Sequence, residues 1–146
     1  MNFRTWVLIL KKKITKKNFY SFHDASVYQL ITPKFQHQLI SLKAKENNGE
    51  IIFYTSEDPK LNKKNRIVYE KLAQKPDVRG FIFLHLQQLA YSGKIDTSLI
   101  KKILLNNYEI HFCKEDLSLY KVCDFSKNIN NFLIFDKTRK LVNLKK

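Results

Sequence analysis

Polar side chains capable of proton and hydrogen-bond chemistry follow four short apolar runs in this chain. Ser21, His23 and Asp24 lie at the end of the first run. Ser56, Glu57 and Asp58 follow the second, His85, Gln87 and Gln88 the third, and Glu115 and Asp116 the fourth. Carboxylates and imidazoles do general acid and base work when they stand within hydrogen-bond reach of a reacting group. Serine hydroxyls and glutamine amides hold and orient polar ligands. On residue type, Glu57, Glu115 and His23 are the candidate catalytic groups, and Ser21, Ser56, His85 and Gln88 the candidate ligand-binding groups. Each also reads as an ordinary polar loop residue, since strand exits are solvated.

Other chemistries lack their residues. There is no GxGxxG or GxxxxGK phosphate loop, no GxSxG elbow and no HExxH pair. Cys113 and Cys123 are the only cysteines. They form no CxxC and no metal-ligand spacing, so neither a zinc site nor a disulfide framework is implied. Cys113 reads as a small buried hydrophobe. No cofactor and no metal are called for.

The elements that must position these side chains are legible as periodicity. Asn18–His23, Ile51–Thr55, Gly80–Leu84 and Tyr108–Cys113 read as strands. They are continuous rather than alternating apolar runs, as expected of strands covered on both faces. Thr32-Pro33 is a helix start, and Phe35, Leu39, Ile40 and Leu42 give residues 33–47 an apolar stripe. Ile67, Val68 and Leu72 mark a helix over 63–74. Leu99, Ile100, Ile103 and Leu104 mark another, capped by Asp96. The order βαβαβαβ predicts an α/β fold: an open, mostly parallel four-stranded sheet with helices on both faces, a resolvase-like or flavodoxin-like three-layer sandwich. In such sheets ligands bind at the carboxyl ends of the strands, near the switch in strand order. That rule brings the polar exits together. From Tyr120 the pattern weakens, and 131–142 reads as a hairpin or a terminal strand with a tail.

At 146 residues the chain is long enough for one packed domain. Residues 1–17 read as a basic extension to a domain spanning 18–146, with its core in 18–119. Trp6–Leu10 is far too short to span a membrane, and its lysines follow the apolar run rather than precede it, which argues against export. A cytoplasmic protein is expected, with peripheral membrane contact through residues 1–17 left open. The net charge of +14 reads either as an electrostatic footprint for nucleic acid or an anionic surface, or as the Lys, Asn and Ile bias of an AT-rich genome.

Two resemblances follow from the motifs. Pro33 opens a helix, Ser56-Glu57 ends a strand, Gly80–Leu89 carries Leu86, Gln88 and Leu89, and His111-Phe112 precedes Glu115. In this order, the motifs resemble those of the sporadic carbohydrate cluster protein family, small bacterial proteins encoded among surface-polysaccharide genes. The resemblance implies a role in cell-surface carbohydrate biosynthesis, with a sugar or sugar-nucleotide ligand or a biosynthetic enzyme as partner. Glu57 or Glu115 would then act as base or sugar-hydroxyl acceptor, and Gln88 as an orienting amide. The family's early Arg is Phe22 in this chain. The second, more remote resemblance is to the catalytic domain of serine recombinases. Their Asp and two Arg after the third strand are Gln87, Gln88 and Tyr91 in Leu86–Tyr91. Without guanidinium groups to stabilise transition-state charge, strand exchange is implausible. This likeness implies at most a catalytically degenerate domain that binds DNA or a protein partner.

Overall fold

The computed structural model describes residues 2–5, 16–58, 66–91, 93–128 and 130. The predicted terminal hairpin at 131–142 lies outside them, as does most of the basic extension and of the loop after the second strand.

The parallel core forms as the apolar runs predict. β1 (Lys17–His23), β2 (Gly49–Ser56), β3 (Gly80–Phe83) and β6 (Glu109–Phe112) are all parallel. Their connections carry α1 (Pro33–Glu46), α2 (Ile67–Ala73) and α3 (Thr97–Leu105). The sheet has five strands rather than the four expected, in the order β2-β1-β3-β6-β7. The added strand, β7 (Leu117–Leu119), runs antiparallel to β6. Three residues, Leu-Ser-Leu, are too short to show a period. The chain reverses into them through Asp116, in the left-handed region at φ 48°. A further departure is the minimal hairpin β4 (Ala90–Tyr91) and β5 (Lys94–Ile95), in what reads as a plain loop. A helical segment over 122–128 seats Phe125 in the core, where the sequence pattern had faded.

Alternation along β3 shows the layers. Phe81 and Phe83 face Val68 and Leu72 of α2 and Leu99, Ile100 and Ile103 of α3. Ile82 faces the other way, onto Ile40 and Ala44 of α1. Phe22 stacks on Phe83 at 4.6 Å between centroids, and Phe83 stands 5.7 Å from Phe112, so one layer is held by aromatic contacts across three strands. Gly80 is required there: a Cβ would stand 2.2 Å from the Glu109 carbonyl oxygen of the neighbouring strand.

The helix ends follow their signals. Thr32 accepts from Phe35 N–H and Asp96 from Leu99 N–H as N-caps. Asn48 and Asn107, both at positive φ, turn the chain beyond α1 and α3. The stripe on α1 is corrected. Phe35 and Leu42 are more than half exposed, whereas Gln36, Ile40, Lys43 and Ala44 face the sheet. The helix is rotated because Gln36 and Lys43 find partners inward: Gln36 on loop backbone and Lys43 on Asp116. Register between β1 and β2 shifts after Phe19, which pairs with Ile51 while Tyr20 pairs with Phe53. Ile52 is the extra residue of a β-bulge and is half exposed.

Candidate site at the carboxyl ends of the strands

The strand order reverses between β1 and β3, so the first and third strands send their following loops in opposite directions. Two buried glutamines tie the loops at this end of the sheet together. Gln88, in the 3-10 turn Leu86–Leu89, donates from Nε2 to the carbonyls of Phe22 (3.0 Å), His23 (2.9 Å) and Glu57 (3.2 Å). Its Oε1 accepts from His85 N–H at 3.1 Å. One amide therefore ties together the exits of β1, β2 and β3. Gln36 does the same for the loop after β1: Oε1 accepts from Asp24 N–H at 2.8 Å, and Nε2 donates to the carbonyls of Asp24 and Ile31. Both are fully buried, where a primary amide is stable only when its donors and acceptor are matched.

Between them stands an Asp–His pair. His85 Nε2 lies 2.6 Å from Asp24 Oδ2, and Asp24 Oδ1 accepts from the N–H (2.9 Å) and hydroxyl (2.5 Å) of Ser26. Burial by itself would raise the Asp24 carboxyl, but the bonds from His85 and Ser26 outweigh it and hold the group below its ordinary value. An ionised carboxylate only accepts, so the proton between the two rests on His85 Nε2.

The two glutamates are set the opposite way. Burial lifts Glu57 from 4.5 to about 7, against the opposing pull of Val68 N–H and the Arg66 guanidinium. Its Oε2 accepts from Val68 N–H at 2.8 Å, at the start of α2. Its Oε1 is buried and has no hydrogen-bond partner among the described residues. Burial also raises Glu115, whose carboxylate accepts from Leu86 N–H, pinning the β6 exit to the β3 exit. Arg66, just before α2, is buried and donates to the carbonyls of Gln88 and Ala90. Acids whose environments drive their proton affinities apart are the usual ingredients of an acid–base site: Asp24 stays ionised at neutral pH, while Glu57 is about half protonated.

The remaining candidates fall elsewhere. Ser21 is fully buried within the sheet and donates to the Phe53 carbonyl of the adjacent strand at 3.3 Å. Ser56 ends β2 opposite His23, partly buried. The His23 ring turns toward α1 and meets the rings of His37 (6.3 Å) and Tyr54 (6.2 Å). Its Nε2 is buried without a partner among the described residues, and burial together with His37 lowers its proton affinity. Gln87 is exposed, and Asp116 pairs at 2.6 Å with Lys43. Cys113 is partly buried against α1, with its thiol pushed up to about 12 by burial. His111 lies mid-sheet, between Glu109 (3.1 Å) and Ser118 (2.7 Å). Gln36, Ser26 and Arg66 escaped sequence reasoning. Of these, only Gln36, a polar residue one turn into an otherwise apolar-striped helix, carried a usable signal.

Among the described residues no group of three or more His, Cys, Asp or Glu could hold a metal ion, and no helix is long and apolar enough to cross a membrane. No family model, curated protein or solved structure matches the chain.

Proposed function

We propose that this chain serves cell-surface carbohydrate biosynthesis in the cytoplasm by binding a sugar or sugar-nucleotide at the carboxyl end of its sheet. The observation that carries the reading is Glu57. A buried carboxyl oxygen without a partner is costly, and such exceptions are expected where a ligand completes the bonding. A carboxyl poised near neutrality both donates to and accepts from sugar hydroxyls. The Asp24–His85 pair and Glu115 supply fixed polar neighbours, and Gln36 and Gln88 hold the backbone on which they stand. Gln88 thus orients strand ends rather than the ligand itself. Three positions of the carbohydrate-cluster motifs, Glu57, Gln88 and Glu115, take part in this one bonding network at the strand ends, which further supports the reading. The finer fold assignment, a flavodoxin-like or resolvase-like sandwich, belongs to the same proposal. It is supported by a strand order that switches between β1 and β3 and by helices on both faces.

A thermal-shift screen against nucleotide sugars, with the free nucleotides and free sugars as separate arms, tests this. Stabilisation by at least one sugar-bearing ligand, lost in Glu57→Gln while that variant remains folded, is the expected result. No stabilisation by any ligand, or stabilisation that Glu57→Gln leaves intact, overturns it.

A further inference from the structure

The site at the strand ends leaves the chain's +14 charge unused. A second surface on the far side of α1 accounts for part of it. One hollow, of about 360 Å³, lies between α1 and the strand β2, and a second, of about 560 Å³, adjoins it along α1. They share Ser41 and Lys45, and so form one continuous groove. Lys16 and Lys45 are exposed on its walls, and neither makes an ion pair among the described residues. Glu50 is the single acid lining it among the described residues. Another basic side chain of α1, Lys43, is instead turned inward and neutralised by Asp116 and Glu46. The groove therefore keeps cations that the fold itself does not use.

The same groove carries rings. Tyr54 is half exposed and packs at 4.8 Å, tilted by 46°, on His37, with His23 behind both. Half-exposed tyrosine on a rigid edge strand, braced from beneath by a second ring, is a stacking platform. Lysines along a groove beside an aromatic platform are the two parts with which proteins hold single-stranded nucleic acid: cations follow the phosphates, and an aromatic face receives a base.

We propose that this groove binds single-stranded nucleic acid, with a base stacked on Tyr54 and the adjoining phosphates held by Lys16 and Lys45. Stacking needs an unpaired base, so a duplex offers the groove only its backbone. Each phosphate contact releases counterions, so affinity falls with salt in proportion to the lysines engaged.

Fluorescence anisotropy with the full chain and a labelled oligothymidine strand of about 12 nucleotides tests the proposal. The controls are an abasic strand of equal length, the matching duplex, and heparin as a polyanion without bases. The strand is expected to bind at least about tenfold more tightly than its abasic counterpart, and Tyr54→Ala to remove that advantage while Tyr54→Phe keeps it. Lys45→Glu and Lys16→Glu are each expected to weaken binding and to flatten the salt dependence by about one contact. Equal binding of the strand, the abasic strand and heparin would mean charge alone and overturns the proposal. So does tighter binding of the duplex, or a Tyr54→Ala variant that binds like the native chain. None of these outcomes touches Glu57, so this proposal and the sugar-binding one stand or fall separately.

Discussion

Replacing Glu57 with glutamine isolates one buried proton. The carboxyl ionises near 4.5 in an open chain and at about 7 in the fold, because burial penalises its charged form more than Val68 N–H and Arg66 favour it. Between those values the folded state holds more protons than the unfolded chain. Stability therefore falls as pH rises through that window, and the loss is complete above the folded value. Each tenfold change in proton affinity is worth about 1.4 kcal/mol, so the ionised carboxylate costs the native state about 3 kcal/mol in a dry site. Solvent screening lowers this to about 2 kcal/mol. Glutamine keeps a carbonyl for Val68 N–H and has no proton to lose. Glu57→Gln is thus expected to be more stable than the native chain by about 2 kcal/mol at about pH 8, the gap closing near pH 4. Urea unfolding of both proteins across this range, followed by circular dichroism, reads the gap as a midpoint shift of about 1 M at the alkaline end. A gap that does not change with pH refutes the reasoning, because it would mean that Glu57 ionises alike in the folded and unfolded chains.

Asp24→Asn removes the ionised partner of His85 and is expected to cost about 2 to 3 kcal/mol at neutral pH. Because the Asp24 carboxyl is held low in the fold, its stabilisation is present above the usual carboxylate range and lost as pH falls, so the cost of Asp24→Asn shrinks in acid urea melts. Gln88→Ala removes the amide that the carbonyls of Phe22, His23 and Glu57 share and is expected to lose about 3 kcal/mol in the same assay. It should also speed amide exchange at Glu57, whose N–H bonds to the His23 carbonyl at 2.8 Å. Gly80→Ala drives a methyl into the Glu109 carbonyl and is expected to cost 3 kcal/mol or more (roughly), seen as loss of soluble, cooperatively unfolding protein.

The centre of the sheet was readable because β3, Gly80–Phe83, is buried along its whole length and so forms an uninterrupted apolar run. α3 was readable because Leu99, Ile100, Ile103 and Leu104 all face the core. α1 was misread in its facing because hydropathy counts Phe35 and Leu42 as inward and Gln36 and Lys43 as outward. Burial of a polar side chain is decided by the partner that meets it, and those partners, the Asp24 backbone and Asp116, lie in other loops. The strand-end rule placed Glu57, His85, Gln88 and Glu115 at one end of the sheet. It could not distinguish a side chain that faces a ligand from one that closes backbone bonds. Gln88 and Glu57 are neighbours in the same network, one with its amide saturated and the other with an oxygen left over among the described residues. Ser21 shows the limit of residue type: a hydroxyl at a strand end points into the sheet when the strand's alternation puts it there.

The bulge at Ile52 bears on how this protein behaves when concentrated. Among the described residues β2 is an edge of the sheet, and an eight-residue edge with half-exposed Ile52 and Tyr54 would invite another copy to continue the sheet. The extra residue breaks the regular spacing of β2's outward-facing peptide groups, so a straight incoming strand can pair with the stretch before it or after it, but not with both. The irregularity that lets Phe19 pair with Ile51 and Tyr20 with Phe53 thereby also works against fibrous self-association along β2.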